Sequence, residues 1–326
     1  MTAPRISVVI TVHNAARVIG ATLRGIMAQP EYATGDMQIV VVDDRSTDGT
    51  ASAALAEGLP ETSLIRIETA GTRGLTTRQE ALERGILEAR GEAVLIVDDD
   101  AVVAPDWAAS MAEPILSGRA DAVAGPVHYR NGWLGRWQSV DVAFYLMVCK
   151  VLNALGLASG ALFTNFAFRR EFYARTGGFP KIGFTLTEDL AYARALHRAG
   201  ARIVFGAAGP AEFDACESWT ALIRRAKRIS AGGSSLLAAV LGIWMVLFVA
   251  LGVAGLLFGG VFAWLFLARW AAGAVFTVAA VARVGRGRLW PLALLYDPLT
   301  IAIGVMVMVG LARDGKVEWG GVNYAR

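Results

Sequence analysis

Apolar, β-branched runs alternate with helix-like segments through the first 120 residues: ISVVITV, RVIGATLRGIMAQ, MQIVVVDD, GTASAALAEG, LIRIE, TTRQEALERGILEARG and AVLIVDDD. That alternation predicts βαβ units, and so an α/β fold with a mostly parallel sheet. Ligands of such sheets bind at the carboxyl ends of the strands. Acidic residues occupy those ends twice, as Asp43 and Asp44 after QIVVV and as Asp98, Asp99 and Asp100 after AVLIV. Val94 to Val97 read as a buried strand, and ionised carboxylates at its end would be costly without a partner. Something positive is expected there.

The pattern changes in the last third of the chain. From Ser230 to Leu267 there is no charged side chain, and a bilayer is spanned by about 20 apolar residues. Two helices are expected at about 236–257 and 260–282, turning at Gly259-Gly260. A third apolar segment, 289–312, carries Asp297 beside Pro298 and reads as transmembrane or as re-entrant with a break at that pair. Residues 1–230 are expected to form the large N-terminal part, 231–312 a membrane part and 313–326 a tail. Between them, 131–163 is unusually apolar, with Trp133, Trp137, Phe144, Met147, Val148, Val151 and Leu155 near helical spacing. It predicts an amphipathic helix, either lying at the bilayer interface or packed in the core.

Composition agrees with this division. Of 326 residues, 55% are hydrophobic and 18% charged, an apolar excess for a single soluble domain. Arg224, Arg225, Lys227 and Arg228 precede the first span and Arg283, Arg286 and Arg288 follow the second. By the positive-inside rule these clusters and the large N-terminal part are expected on the cytoplasmic side of a membrane, of the bacterial inner-membrane type. The stretch ISVVITV is too short for a signal peptide and lacks a small-residue cleavage site. The net charge of +3 sits mainly beside the spans, which fits membrane lipids as partners and not nucleic acid. Cys149 and Cys216 show neither CxxC nor zinc-ligand spacing.

The first strand runs into TVHNAARVIG, which matches neither GxGxxG nor a phosphate-binding GxxxxGK[ST] loop. Phosphates must then be held another way, and a divalent ion, Mg²⁺ or Mn²⁺, bridging carboxylate and diphosphate is the economical choice.

Several ordered motifs resemble the family 2 glycosyltransferases, inverting enzymes of the Rossmann-like GT-A fold. ISVVITVHN is similar to their opening strand, VVVDDRSTDGT to the nucleotide signature and VDDDA to the DxD motif. TNFAFRREFYARTGGF is similar to the acceptor-side segment and TEDLAYARALHRAG to the ED motif with its helix. The resemblance covers residues 5 to 230. It implies a nucleotide-sugar donor, UDP-linked by preference, contacted by Asp44 with Asp43 and by Asp98, with His13 in the donor loop. It assigns the metal to Asp100 and Asp98, base catalysis to Asp189, and acceptor binding or base orientation to Glu188. Arg78 would touch the diphosphate or form a structural pair. Arg225 and Arg228 stand where the family carries (Q/R)xxRW, with Ile229 replacing the tryptophan, and would bind diphosphate or form a basic collar. Competing roles are a helix cap for Asp44 or Asp189 and a solvated acidic turn for Asp98 to Asp100.

The membrane segments make the chain similar to the ceramide, hopanoid and carotenoid branches of the family, and the tail DGKVEWGGVNYAR to a WxGxxY-type ending. A lipid or isoprenoid acceptor is the expectation. The alternatives are a polyprenyl-phosphate glycosyltransferase, which needs no base, a polysaccharide synthase, which needs more spans, and a non-enzymatic scaffold.

Overall fold

The computed structural model describes residues 3–69, 74–206, 209–230, 236–313, 316–319 and 322–325. Two compact units are present: Met1–His128 with Lys150–Asp214, and Tyr129–Cys149 with Ala215–Arg326.

The first unit opens with β1 (Ile6–Val12), α1 (Ile19–Met27), a single turn α2 (Pro30–Ala33), β2 (Met37–Asp44) and α3 (Thr50–Ala56). β3 (Leu64–Ile67), α4 (Thr77–Glu88), β4 (Ala93–Val97), β5 (Val102–Val103), α5 (Trp107–Leu116), β6 (Ala122–Ala124) and β7 (Val127–Arg130) follow. The long α6 (Gly132–Ala154) leads to β8 (Asn165–Arg169), α7 (Glu171–Thr176), α8 (Gly178–Ile182), α9 (Glu188–Arg198), β9 (Ile203–Phe205) and β10 (Ala211–Asp214). The main sheet has the order β3-β2-β1-β4-β8-β6-β9, and β5-β10-β7 form a second, smaller one.

Neighbours among β3, β2, β1 and β4 are parallel, which is why their sequences read as unbroken apolar runs: both faces of a parallel sheet are covered. Val8, Val9, Ile10, Val94 and Leu95 have no exposed surface. β8 enters antiparallel to both β4 and β6, and β6 and β9 are again parallel. The sheet is therefore mostly parallel, with one reversed strand that the alternation of runs did not reveal. Gly91 shows how closely the layers approach, since a Cβ there would lie 2.5 Å from the Ile6 carbonyl carbon.

The second unit adds α10 (Trp219–Ser230), α11 (Leu236–Phe258), α12 (Gly260–Arg283), α13 (Trp290–Leu294), α14 (Tyr296–Arg313) and a hairpin of β11 (Lys316–Trp319) and β12 (Val322–Ala325). Ala239–Phe258 and Gly260–Arg283 are long and apolar enough to cross a membrane, and a third crossing exists if the bent pair Gly287–Leu294 and Tyr296–Met306 is one span. The turn between α11 and α12 falls on Gly259 and Gly260, at φ +60° and +50°, a region only glycine enters freely.

The third apolar segment breaks about two residues earlier than expected. The 63° bend lies between Leu294 and Tyr296, and Asp297 and Pro298 both fall in the first turn of α14. Proline is tolerated there because a helix's first N–H groups have no internal partner in any case. Within this unit Ile303 of α14 packs with Leu222 of α10 and Trp137 of α6 in one buried cluster.

Trp137, Phe144 and Val148 of the apolar stripe of α6 are covered by protein. Phe144 lies 5.8 Å from Trp244, 5.4 Å from Phe276 and 4.4 Å from Tyr296 between ring centroids, so the middle of this helix packs against α11, α12 and α14. Trp133 and Val151 remain exposed.

Candidate active site

Register brings the acidic strand ends side by side. β1 lies between β2 and β4, with Val12 opposite Asp43 and Val9 opposite Ile96. Asp43, Asp44 and Asp98 therefore share the carboxyl edge of the sheet.

At the β2 end Asp43 and Asp44 are both buried. The Asp43 carboxylate accepts from the Ser46 amide at 3.2 Å. Asp44 is paired in bidentate fashion with Arg45, at 2.7 Å and 3.1 Å, and Arg45 itself sits at φ +58°. His13 Nδ1 lies 2.6 Å from the Asp44 carbonyl oxygen, which fixes the donor loop against this strand end. Asp48 serves the start of α3, accepting from the Thr50 amide and hydroxyl at 3.1 Å and 2.5 Å. Asp44 thus carries no capping duty.

At the β4 end the strand stops at Val97. Asp98 to Asp100 lie in the turn beyond it, so strand alternation does not set which way these side chains point. Thr22 Oγ1 donates to the Asp99 carbonyl at 2.7 Å. Burial, reinforced by the charges of Asp98 and Asp100, pushes the Asp99 carboxyl up to about 7. Asp98 and Asp99 are half-buried and Asp100 is exposed.

The positive group expected beside this strand end is Arg78, from the first turn of α4. Its Nη2 donates to Asp98 Oδ1 at 2.5 Å. Its Nε stands 2.8 Å from Glu188 Oε1, an ion pair without hydrogen-bond alignment. Burial works against the guanidinium charge, and Asp98 and Glu188 outweigh it, so its pKa is raised. One arginine therefore joins the DDD turn to the start of α9, 110 residues further along the chain (78 to 188).

Asp189, next to Glu188, is half-buried, and the Leu190 amide donates to its Oδ1 at 2.7 Å. Burial, with the adjacent Glu188 charge adding to it, pushes the Asp189 carboxyl up to about 7. A carboxylate poised there is suited to taking a proton near neutral pH.

Residues 4–232 match the family model described as glycosyltransferase like family 2. The chain belongs to that family. Among solved structures, the mannosyltransferase PcManGT from Pyrobaculum calidifontis, in complex with GDP-Man and Mn²⁺, is 23% identical with a TM-score of 0.54, over 91% of this chain and 88% of that one. At this identity the likeness speaks for the GT-A fold. TarS (residues 1–349) from S. aureus is 16% identical, TM-score 0.46, over 99% and 96% of the two chains. Glucosyl-3-phosphoglycerate synthase from Mycobacterium tuberculosis is 20% identical, TM-score 0.43, over 65% and 69%. No curated protein matches the chain.

In this family 2 glycosyltransferase, Arg78, Asp98, Glu188 and Asp189 form one electrostatic cluster, and Asp43, Asp44 and His13 a second group on the same sheet edge. Arg225 belongs to the other unit, where it donates to the Tyr129 hydroxyl and stacks 4.9 Å from that ring. The Arg228 side chain lies outside the described residues. Among the described residues no three His, Cys, Asp or Glu side chains converge as a metal cage. A divalent ion here would need oxygen ligands from a diphosphate, the usual habit of Mg²⁺ at nucleotide sites. The carboxylates of the DDD turn, crowded enough to raise Asp99, fit that role.

Two features escaped sequence reading. Asn165, in the acceptor-like TNFAF segment, is fully buried. It accepts from Trp107 Nε1 at 2.9 Å and donates to the Pro126 and Gly209 carbonyls, so it is a structural knot. Gln79 is also fully buried and grips the loop before α9. Its signal was the capping box Thr76-x-x-Gln79.

Proposed function

We propose that this glycosyltransferase moves a single sugar, with inversion, from a nucleotide sugar to a hydroxyl of a lipid or isoprenoid acceptor at a membrane surface. The observation that carries the reading is Arg78, whose ion pairs with Asp98 and Glu188 hold the donor-side and base-side motifs together. In this reading Asp44, Asp43 and His13 receive the nucleoside, and Asp98 and Asp100 hold Mg²⁺ or Mn²⁺ with the donor diphosphate. The ion would supply charge stabilisation for the departing diphosphate. Asp189 takes the proton of the acceptor hydroxyl, and Glu188, tied to Arg78, orients it. A nucleotide-sugar donor also accords with the GDP-Man and Mn²⁺ of the Pyrobaculum enzyme.

The apolar acceptor rests on surface chemistry. Leu256 is 88% and Trp264 73% exposed at the tip of the α11–α12 hairpin, a surface that water disfavours by about 25 cal/mol per Å². Lipid is the solvent that suits it. Phe184 is also exposed, five residues before Asp189, and offers an apolar contact beside the base.

The test is transfer from UDP- and GDP-sugars into membrane lipid extract, with Mn²⁺ or Mg²⁺ and with EDTA, for wild type and Asp100→Asn. Metal-dependent labelling of one lipid, lowered about 100-fold or more by EDTA and by the substitution, is the expected outcome. Labelling indifferent to both would refute the metal-assisted mechanism. Labelling confined to a polyprenyl phosphate would move the acceptor class.

A further inference from the structure

We infer that Gln79 is a positioning residue for sugar transfer: its buried carboxamide holds the loop that delivers Glu188 and Asp189. Its Nε2 donates to the Gly183 carbonyl at 2.8 Å. Its Oε1 accepts from the Thr185 amide at 3.2 Å and from the Thr76 amide at 3.0 Å. The Thr185 hydroxyl then accepts from the Thr187 amide at 3.2 Å, and Thr187 is the residue from which α9 starts. Two short links therefore run from this carboxamide through Thr185 to the helix turn that carries both acidic residues, and a third holds Gly183.

The loop needs such a hold. Gly183 closes α8 at φ +77°, and Thr187 makes no side-chain cap on α9. Residues 183–187 form no helix or strand of their own, so the bonds from Gln79 take the place of a ladder. The carboxamide is suited to this place because one group both donates and accepts in a single plane. The neighbouring Arg78 pairs with Asp98 and Glu188. The first turn of α4 thus fixes the base-bearing loop with one residue and ties it to the donor edge with the next. Displacement of a catalytic group by about 1 Å costs as much as about 100-fold in rate, so a side chain that touches no substrate can govern turnover.

The inference rests on Asp189 acting as base, and the experiment separates the two. Gln79→Leu, Gln79→Glu, Thr76→Ala and Asp189→Asn are made in the full chain in lipid nanodiscs, measuring kcat, donor KM, UDP affinity and Tm. Thr76→Ala removes the same helix cap without touching the 183–187 loop, and Gln79→Glu keeps both accepting bonds while losing the donated one. Expected are a kcat at least about 10-fold lower for Gln79→Leu with UDP affinity and donor KM within about 2-fold. Gln79→Glu should recover part of the loss, and Thr76→Ala should lower Tm while keeping kcat within about 2-fold of wild type. If Thr76→Ala lowers kcat as much as Gln79→Leu, or if Gln79→Leu turns over normally while Asp189→Asn is inactive, Gln79 is structural only. If Gln79→Leu does not fold, the comparison of Gln79→Glu with Thr76→Ala decides. Wild-type turnover by Asp189→Asn would instead refute the base assignment and, with it, the function this loop is inferred to serve.

Discussion

Replacing Asp189 by asparagine is expected to lower kcat by about 10²–10⁴-fold, the range over which a positioned general base contributes, while leaving nucleotide affinity nearly unchanged. Asparagine keeps the size of the side chain and can still accept from the Leu190 amide, so the loss isolates the proton-accepting function. The wild-type pH profile carries a second signature. Burial, with Glu188 beside it, lifts the Asp189 carboxyl to about 7, so kcat should fall tenfold per unit as pH drops below about 7 and level off above it. Stability moves the opposite way. A carboxyl whose folded pKa is raised destabilises the fold once ionised, an effect absent below about 4 and complete above about 7. Asp189→Asn should therefore melt about 2–4 °C higher than wild type at pH 8, with the difference shrinking as pH falls toward about 4. An inactive variant that is also less stable at pH 8 would attribute the loss to damage and not to missing chemistry.

The second large effect lies in the apolar bundle. Asp297 accepts from Trp244 Nε1 at 2.8 Å and from Arg269 Nη1 at 2.9 Å, and the Arg269 guanidinium stacks 3.9 Å from the Trp244 ring. The Asp297 and Arg269 side chains are 6% and 11% exposed, and they join α11, α12 and α14. Gly273 makes room for them, since a Cβ there would lie 2.6 Å from Asp297 Oδ2. Removing one partner of a buried pair typically costs about 3–5 kcal/mol because the other charge is left stranded. Arg269→Leu and Asp297→Leu should each abolish the monodisperse detergent-solubilised species, and the double variant should restore much of it. Single variants that elute and melt like wild type would show that the bundle does not depend on this pair.

The parallel half of the sheet was legible because strands covered on both faces must be apolar throughout, and the acidic edge because carboxylates interrupt those runs abruptly. The reversed strand β8 was not, since FAF reads equally well in either direction of pairing. The partner of the DDD turn was legible from the residues as a positive charge, and the family resemblance offered Arg78 for a diphosphate contact or a structural pair. That it is Arg78, and that Glu188 shares it, depends on contacts across 20 and 110 residues (78 to 98 and 78 to 188) which no local pattern encodes. The bend before Tyr296 was misplaced by about two residues for a local reason: a proline ends a helix when it is internal but is accommodated in the first turn.

Arg78 gives the acidic strand end a counter-charge from within the protein. Asp98 already has an internal counter-charge, so under the proposed function donor capture would be an exchange of ionic partners. Any group that claims Asp98 leaves Arg78 paired with Glu188, and the charge felt at the start of α9 shifts accordingly. Thermodynamic reciprocity then makes each substrate's affinity depend on the other's presence. Under the proposed function, the same guanidinium would set the terms on which donor and acceptor sense one another.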